Sequence, residues 1–345
     1  MSEIGYSIKL WTNAVLYGTI VLFMLLKKAF VNGFGNVFYW KRWDRPACLD
    51  DPKHGTHGFL KLKDVSIHYV ASGPENKPLM LFVHGFPEFW YSWRHQIKEF
   101  QKDYRVVAID QRGYSESSKP SGKHNYSLVK LMSDLEQVIL ALGYKSCILV
   151  AHDWGGIVAW TFSSYYPQCV DKMIMLNAPP IPLFLSILNA NKAQAKKSWY
   201  MFFFQLPCLP ELWIKNGNYE IFDLVFSLGS QGTDSQTRDK LYDENIAPYK
   251  YTFSQTGALT PPINYYRCWF RGKVEDRCNH DLKYKMPILL IWGCKDTYLD
   301  IDLPNALEKE VPGIEVRKLP ECGHFLQNDS PNDVNKAMRE WLSKK

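Results

Sequence analysis

The stretch at 147–160 reads CILVAHDWGGIVAW and decides the fold. An apolar run ends at Ala151, and a helical pattern continues from Gly155 and Gly156. Small residues on both sides of Asp153 allow a sharp, strained strand-to-helix elbow that presents one side chain to a site. Serine usually holds this position, but a carboxylate there can form a covalent ester. A plain helix N-cap aspartate is the alternative interpretation.

Further apolar runs lie on both sides of this stretch, with helical patterns between them. Strands that alternate with helices predict a mostly parallel, doubly wound α/β sheet. The predicted strands are an antiparallel pair at 59–63 and 65–70, followed by 79–83, 105–109, 147–151, 173–177, 288–292 and 314–319. The predicted helices include 127–142, 155–166 and 331–342, the last with Ser330 as N-cap and Pro331 at its first position.

The alternation stops between Asn177 and Met286, where over a hundred residues show few strand signals. This segment is rich in Pro, Trp, Tyr and Phe, as at 199–213. It predicts a mainly helical lid at about 180–280 over the carboxyl edge of the sheet, where ligands bind in open α/β sheets. We therefore expect one α/β domain over 46–345 that carries this lid, preceded by a separate segment at 1–45.

Two loops near the C-terminus supply the partners that an aspartate nucleophile needs. Asp296 follows the predicted strand at 288–292, and His324 follows the strand at 314–319. The order of nucleophile Asp153, acid Asp296 and His324 is the order of the α/β-hydrolase triad.

The loop after the strand at 79–83 reads HGFPE (84–88) and predicts a site for negative charge. The backbone N–H groups of Phe86 and Trp154 are expected to form an oxyanion hole. His84 and Pro87 are predicted to stand beside it at the substrate, and Trp154 to line the pocket. A simple turn is the alternative, because Gly-x-Pro is also turn chemistry.

With these motifs in place, the sequence resembles the epoxide hydrolases of α/β-hydrolase fold, especially their membrane-anchored animal subgroup. The resemblance covers nearly the whole chain. It rests on seven motifs in the family's order: HGFPEFWYSWRHQ (84–96), AIDQRGYSESSKP (108–120), LVAHDWGG (149–156), YMFFFQLP (200–207), NYYR (264–267), GCKDTYL (293–299) and ECGHF (321–325).

The resemblance implies a set of residue roles. Two lid tyrosines activate the epoxide oxygen in this family, and Tyr200 and Tyr266 match them, with Tyr265 as the neighbouring alternative. Asp153 would then open the epoxide to an ester, and His324 would activate water to release a vicinal diol. No metal or organic cofactor is expected. The aromatic lid favours lipophilic epoxides, with fatty-acid epoxides as the first choice.

Two other functions stay open on the residues alone. A haloalkane dehalogenase uses the same Asp–His–Asp triad, but its halide needs N–H donors from Trp or Asn. Phe86 stands where such an Asn is expected, and the pair Tyr200 and Tyr266 suits an epoxide oxygen. A non-catalytic binding protein on this fold would have lost Asp153, Asp296 or His324, and all three are present.

The net charge of +6 comes mainly from the first 45 residues, which hold six basic and two acidic side chains. The segment at 4–26 is the most apolar stretch of the chain, has Lys9 as its one charge, is long enough to cross a bilayer as a helix, and is followed by Lys27 and Lys28. We predict a single-pass membrane anchor, with the endoplasmic reticulum as its expected membrane. A cleaved signal and an ordinary soluble helix are the alternatives. The basic residues after the segment favour a cytosolic body.

The remaining 300 residues are nearly neutral, so no nucleic-acid partner is expected. The eight cysteines are scattered without a CxxC pair, which favours reduced thiols over a disulfide framework or zinc site. Glycosylation tripeptides at Asn125 and Asn328 are short enough to arise by chance and indicate no compartment.

Overall fold

The computed structural model describes residues 3–226, 243–272 and 282–344. Eight strands form one sheet in the order β1-β2-β4-β3-β5-β6-β7-β8. The pairs β1–β2 and β2–β4 are antiparallel, and every other neighbouring pair is parallel. The strands are β1 Thr56–Lys61, β2 Ser66–Ser72, β3 Leu79–Val83, β4 Arg105–Ile109, β5 Cys147–His152, β6 Val170–Leu176, β7 Ile288–Gly293 and β8 Ile314–Leu319.

The α-helices fall into two sets. Those that accompany the strands along the chain are α3 Arg94–Phe100, α4 Leu128–Ala141, α5 Asp153–Tyr165, α6 Ile181–Ala190, α7 Lys192–Lys197, α13 Asp302–Glu310, α14 Leu326–Asp329 and α15 Pro331–Leu342. The others are α1 Glu3–Asn32, α2 Phe34–Val37, α8 Trp199–Phe203, α9 Leu209–Tyr219, α10 Ile221–Phe226, α11 Ala247–Ser254 and α12 Thr260–Arg271. Short 3-10 turns lie at Ala47–Asp50, Pro52–His54, Trp90–Trp93, Lys123–Tyr126 and Pro167–Cys169.

This architecture confirms the predicted α/β-hydrolase fold, its mostly parallel sheet and the leading antiparallel pair. Strands β3, β5 and β7 are buried along their whole length, as central strands covered on both faces are. The predicted C-terminal helix is also confirmed, with Ser330 at the N-cap position and Pro331 first. The Ser330 hydroxyl, however, contacts the Asp333 carboxylate at 2.8 Å instead of capping a backbone N–H.

The chain divides into two compact units. The sheet unit comprises 51–197 and 272–345, and the helical unit comprises 1–50 and 198–271. This grouping differs from the predicted division at residue 45, because α1 packs on α8 and α9 and so belongs with the helices of that unit. The segment that forms the helical unit is also narrower than the predicted lid, since α6 packs on α13 in the sheet unit.

Helix α1 is the one helix, among the described residues, that is long and apolar enough to cross a membrane. Its length and composition fit the predicted membrane anchor. They do not determine whether the helix crosses a bilayer or lies on it. Seven of the eight cysteines lie in the described ranges, and none of these seven is joined to another in a disulfide. Cys278 lies outside them.

Candidate active site

The elbow between β5 and α5 places Asp153 at the carboxyl edge of the sheet. The residue has a φ of 48°, in the left-handed region that side chains other than glycine seldom adopt. The close approach of the chain depends on the two glycines that follow. A Cβ on Gly155 would lie 2.3 Å from the Val83 carbonyl oxygen, and one on Gly156 would lie 2.2 Å from the Ala178 Cβ. The small residues read from the sequence therefore do serve a sharp turn.

His324 stands between the two aspartates. Its Nε2 lies 3.6 Å from Asp153 Oδ2, and its Nδ1 lies 2.6 Å from Asp296 Oδ2. The Asp153 side chain is 14% exposed, whereas that of Asp296 is 1% exposed. Of the two carboxylates, Asp153 is therefore the one open to a reacting molecule, while Asp296 is placed to orient the imidazole.

The three groups hold one another in their charged forms. Burial alone would lower the pKa of His324, but the carboxylates of Asp296 and Asp153 raise it to about 10. Burial alone would raise the pKa of Asp153, yet the hydrogen bond and charge of His324 keep it below the usual value. The pKa of Asp296 is lowered in the same way beside His324. Asp153 is therefore an ionised carboxylate at neutral pH, as a nucleophile must be.

The loop after β3 brings a backbone donor to the nucleophile. The Phe86 N–H donates to Asp153 Oδ1 at 2.8 Å. Trp154 is buried directly after Asp153 in the chain, and the oxyanion role of its N–H stays a prediction. The peptide bond between Phe86 and Pro87 is cis.

His84 faces the protein backbone on both sides of its ring. Its Nδ1 lies 2.8 Å from the Gly85 carbonyl oxygen, and its Nε2 accepts from the Gln111 N–H at 3.1 Å. Burial lowers the pKa of this buried imidazole, which favours the neutral ring. These contacts give His84 a role in shaping the loop that carries Phe86. The predicted role of His84 at the substrate stays a prediction.

Asn177 is a site residue that the sequence analysis did not identify. It follows β6 at a φ of 36°, and its amide nitrogen donates to Asp296 Oδ2 at 2.5 Å. Its amide oxygen accepts from the Gly293 N–H at 2.7 Å. Asp296 Oδ1 accepts the backbone N–H groups of Tyr298 and Leu299. Asn177 could have been found as the polar residue that ends the predicted strand at 173–177.

A second set of unanticipated contacts lies behind His324. His152 Nε2 lies 2.9 Å from the His324 carbonyl oxygen, and His152 Nδ1 lies 2.6 Å from Glu88 Oε2. The same Glu88 oxygen accepts the Gly85 N–H at 3.0 Å. Burial would raise the pKa of Glu88, but His152 keeps it below its usual value. The buried carboxylate of Glu88 thus links the Phe86 loop, through His152, to the backbone of His324.

The two predicted tyrosines come together in the helical unit. The rings of Tyr200, on α8, and Tyr266, on α12, meet edge to face with centroids 5.8 Å apart. The Phe204 ring packs against both, with its centroid 5.6 Å from that of Tyr200 and 5.1 Å from that of Tyr266. Tyr265 is the preceding residue on the same helix and is also buried. The pairing with Tyr200 favours Tyr266 over Tyr265 as the second tyrosine of the motif.

Arg267, directly after Tyr266, joins the two helices that carry the tyrosines. Its guanidinium donates to the carbonyl oxygens of Phe204 at 2.9 Å and Leu206 at 2.6 Å. The same group pairs with Glu211 at 2.9 Å. A planar guanidinium can hold several acceptors at fixed angles, so Arg267 fixes the end of α8 against α12. The motif NYYR showed this arginine, but its spacing alone gave no partner for it.

Within the described residues, no group of three or more His, Cys, Asp or Glu side chains could hold a metal ion. The sheet unit instead offers an ionised carboxylate, an imidazole oriented by a second carboxylate, and a backbone donor on the first carboxylate. These groups can perform nucleophilic substitution followed by base-assisted hydrolysis.

A protein-family profile for the alpha/beta hydrolase fold matches residues 78–331. The human protein "Epoxide hydrolase 4" is 38% identical over 97% of this chain and 93% of its own length. "Epoxide hydrolase 1" of Caenorhabditis elegans is 43% identical over 90% of this chain and 75% of its own length. A haloalkane dehalogenase function gains no support from these names.

Solved structures lead to the same family. A mutant of an epoxide hydrolase from Bacillus megaterium, complexed with its diol product, superposes with a TM-score of 0.73 at 33% identity. That match covers 83% of this chain and all of the bacterial one. The fold, the site and these relatives together place the chain among the epoxide hydrolases of the α/β-hydrolase family, and it is accordingly a hydrolytic enzyme.

Proposed function

We propose that the enzyme converts lipophilic epoxides to vicinal diols through a covalent ester on Asp153. The observation that carries this proposal is the position of the Asp153 carboxylate. Its Oδ1 accepts the Phe86 N–H, and its Oδ2 lies 3.6 Å from His324 Nε2. One oxygen is thus held as a future oxyanion, and the other is left to attack carbon.

Formation of the ester is the first step. Asp153 Oδ2 attacks a ring carbon, the carbon–oxygen bond of the epoxide breaks, and the ring oxygen becomes an alkoxide. Tyr200 and Tyr266 supply O–H groups to this oxygen, and one of them transfers its proton. Their pairing within the helical unit supports a joint role. The tyrosinate formed is protonated again from water.

Hydrolysis of the ester is the second step. Ester formation removes the negative charge of Asp153, which is one of the charges that raise the pKa of His324. The pKa of His324 therefore falls when it must act as a base. The neutral imidazole takes a proton from water, and hydroxide adds to Asp153 Cγ while Phe86 stabilises the oxyanion on Oδ1. The Cγ–Oδ2 bond then breaks, and the imidazolium protonates the departing diol oxygen.

Lipophilic substrates, with lipid-derived epoxides as the first choice, complete the proposal. The helical unit surrounds the tyrosine pair with aromatic rings, including Phe204 and Trp199. The bacterial relative named above is complexed with an aryl diol, a naphthyloxy-propane-1,2-diol, as its product. Helix α1 supports attachment to a membrane, in which such epoxides concentrate. The endoplasmic reticulum and a cytosolic body stay predictions from resemblance and from the basic flank.

A single turnover in ¹⁸O-labelled water tests the covalent step. The label is expected in the Asp153 carboxylate and absent from the first diol, because the diol oxygen comes from Asp153 Oδ2. Mass spectrometry of the peptide that contains Asp153 measures this directly. Asp153→Ala is the control and should form neither diol nor labelled peptide. Label in the first diol would show that water attacks the epoxide directly.

The substrate class needs a separate panel. Epoxides of long-chain fatty acids, aryl glycidyl ethers and short water-soluble epoxides are compared by kcat/KM. The proposal expects the values to rise with apolar size and the fatty-acid epoxides to rank highest. A preference for the short epoxides would remove the lipophilic assignment while leaving the ester mechanism intact.

A further inference from the structure

Helix α1 has two apolar faces with different surroundings. One face is buried along its length and consists of Leu10, Ala14, Gly18, Val21, Leu25 and Ala29. These positions repeat every three or four residues, so they form one stripe of the helix. Opposite them, large apolar residues are exposed, with Phe23 at 68% and Phe30 at 87%. We call these the inner and outer faces.

The inner face packs on the helices of the same unit. A Cβ on Gly18 would lie 2.2 Å from Leu206 Cδ1, so glycine allows the close approach there. The Tyr17 ring lies near those of Trp199 at 6.0 Å and Phe202 at 6.4 Å. Both partners belong to α8, the helix that carries Tyr200. The middle of α1 therefore supports the helix of a proposed catalytic tyrosine.

Both ends of α1 also contact other parts of the helical unit. Near the start, the Arg271 guanidinium lies 5.4 Å from the Trp11 ring and the Tyr6 hydroxyl donates to the Phe270 carbonyl oxygen at 3.4 Å. Near the end, Lys28 forms an ion pair with Glu220. The attachments thus extend from one end of the helix to the other.

Such attachments conflict with a helix that crosses a bilayer alone. A lone span needs hydrocarbon around roughly 20 residues. If α1 crossed the bilayer with its contacts intact, α8 and α9 would enter the hydrocarbon too. That would place the ion pair of Glu211 and Arg267, which lies beside Leu206 and so near the middle of α1, at membrane depth, where charged side chains are strongly disfavoured.

We propose that α1 lies in the plane of the membrane as a fixed part of the helical unit, with only its outer face among the acyl chains of one leaflet. The occupant of the outer face is therefore lipid. Between Lys9 and Lys27 the outer face carries no charged side chain and is mostly apolar: Val15, Leu16, Ile20, Leu22, Phe23, Met24 and Leu26 are exposed there. A helix with one apolar face to lipid and fixed partners on the other is the geometry of a monotopic anchor.

The residues after α1 suit the headgroup level of such a membrane. Lys27, Lys41 and Arg42 are basic and lie on α1's last turns and the segment that follows, where they complement anionic headgroups. Tyr39 and Trp40 are exposed, and tyrosine and tryptophan favour the interface. This flank is fixed to the helical unit, since the Asn218 N–H donates to the Tyr39 carbonyl oxygen at 3.1 Å.

The two geometries differ in where the N-terminus lies. The chain, with one epitope tag before Met1 and another after Lys345, is inserted into sealed microsomal vesicles and treated with protease. An in-plane α1 leaves both tags on the same side, so both are cleaved or both are protected. A spanning α1 places them on opposite sides, and protection of one tag alone would overturn the proposal.

A matched pair of substitutions tests the packing of the inner face. Gly18→Leu and Thr19→Leu raise the hydropathy of α1 similarly, but Gly18 faces Leu206 and Thr19 is exposed. Gly18→Leu is expected to lower the midpoint temperature of thermal unfolding and to lose protease protection within 198–226, and Thr19→Leu to change neither. Equal behaviour of the two variants would contradict a helix packed on the helical unit.

Charges on the outer face identify its occupant. Ile20→Glu combined with Phe23→Glu should abolish co-sedimentation with vesicles of phosphatidylcholine and phosphatidylserine, while the thermal midpoint and turnover of a water-soluble epoxide stay unchanged. Light scattering of the wild-type chain in detergent checks for a second copy as occupant. If the substitutions dissociate a dimer and leave vesicle binding intact, lipid is not the occupant.

Discussion

The two units hold their predicted catalytic groups in different ways. In the sheet unit, the predicted reacting groups themselves form hydrogen bonds. The Phe86 N–H donates to Asp153, and His324 Nδ1 is hydrogen-bonded to the Asp296 carboxylate. In the helical unit, Arg267 fixes backbone carbonyls, and ring contacts place Tyr200 and Tyr266. Hydrogen bonds have strict geometry, whereas apolar ring contacts tolerate adjustment. We therefore expect the nucleophile to be held rigidly and the tyrosine pair to adapt to epoxides of different shape, and we refer below to the rigid unit and the adaptable unit.

His324→Gln is expected to have the largest effect, because it removes the proposed base from the rigid unit. Turnover should be lost, while Asp153 can still attack the epoxide. The ester should therefore accumulate, and intact-protein mass spectrometry should show one substrate mass added per chain. Asp153→Ala serves as the control without an adduct. A variant that loses turnover with no adduct would contradict the separation of the two steps.

The pH dependence of the wild-type enzyme also tests whether ester formation and ester hydrolysis are separate steps. His324 has its pKa raised to about 10 while Asp153 is ionised, and loss of that charge in the ester lowers it. Ester hydrolysis needs the neutral imidazole, so its rate should rise with pH and level off above the pKa of His324 in the ester. That midpoint should lie below the pKa of about 10 that His324 has beside ionised Asp153. Rapid-mixing measurements of ester decay across the neutral and alkaline range supply the profile, and a midpoint that is not lowered would argue against the charge coupling.

Tyrosine substitutions test the adaptable unit and should have the next largest effect. Tyr200→Phe and Tyr266→Phe remove one proton or hydrogen-bond donor each, so ester formation should slow by about 10²-fold for each variant. Ester hydrolysis should change little, because the tyrosines act on the epoxide oxygen. Single-turnover fluorescence or quenched-flow sampling separates the two rates.

Tyr265→Phe is the matched control for the tyrosine pair. It removes the same hydroxyl from the adjacent position of α12, where the side chain points in a different direction around the helix. Ester formation should stay within about threefold of wild type, well below the usual contribution of a general acid. A defect as large as that of Tyr266→Phe would reassign the second tyrosine.

Much of the rigid unit could be predicted from the sequence, because its signals are local. The elbow around Asp153 needs small residues two positions away on either side, and Asp296 and His324 each follow a recognisable strand. The contacts of Asn177 and Glu88 could not be predicted, since their partners are distant in sequence and depend on which strands become neighbours. A polar residue at the end of a strand indicates the correct edge of the sheet and no specific partner.

The packing of α1 could not be predicted from the sequence for a different physical reason. Its inner and outer faces are both apolar, so its periodicity does not distinguish a lipid neighbour from a protein neighbour. Small residues such as Ala14 and Gly18 on one stripe were the available signal for close helix packing. Length and hydropathy alone therefore predicted a separate anchor where the structure shows an element of the helical unit.

Asn177→Ala should have the smallest effect of these substitutions, because Asn177 orients His324 only through its contact with Asp296. The substitution leaves Asp296 Oδ2 with His324 and removes the acceptor of the Gly293 N–H. An unsatisfied buried group costs about 1–3 kcal/mol, which should appear as reduced stability to urea. Turnover should fall by about tenfold, mainly in ester hydrolysis, since only that step needs a correctly oriented base.

The φ of 36° at Asn177 adds a strain term that the alanine variant alone would not isolate. Asn177→Gly removes the same side chain but accepts that backbone conformation at no steric cost. If the hydrogen bonds matter for catalysis, both variants should slow hydrolysis equally, while the glycine variant is the more stable of the two. Recovery of hydrolysis in Asn177→Gly would instead assign the defect to backbone strain, and Asp296 would then hold His324 without help from Asn177.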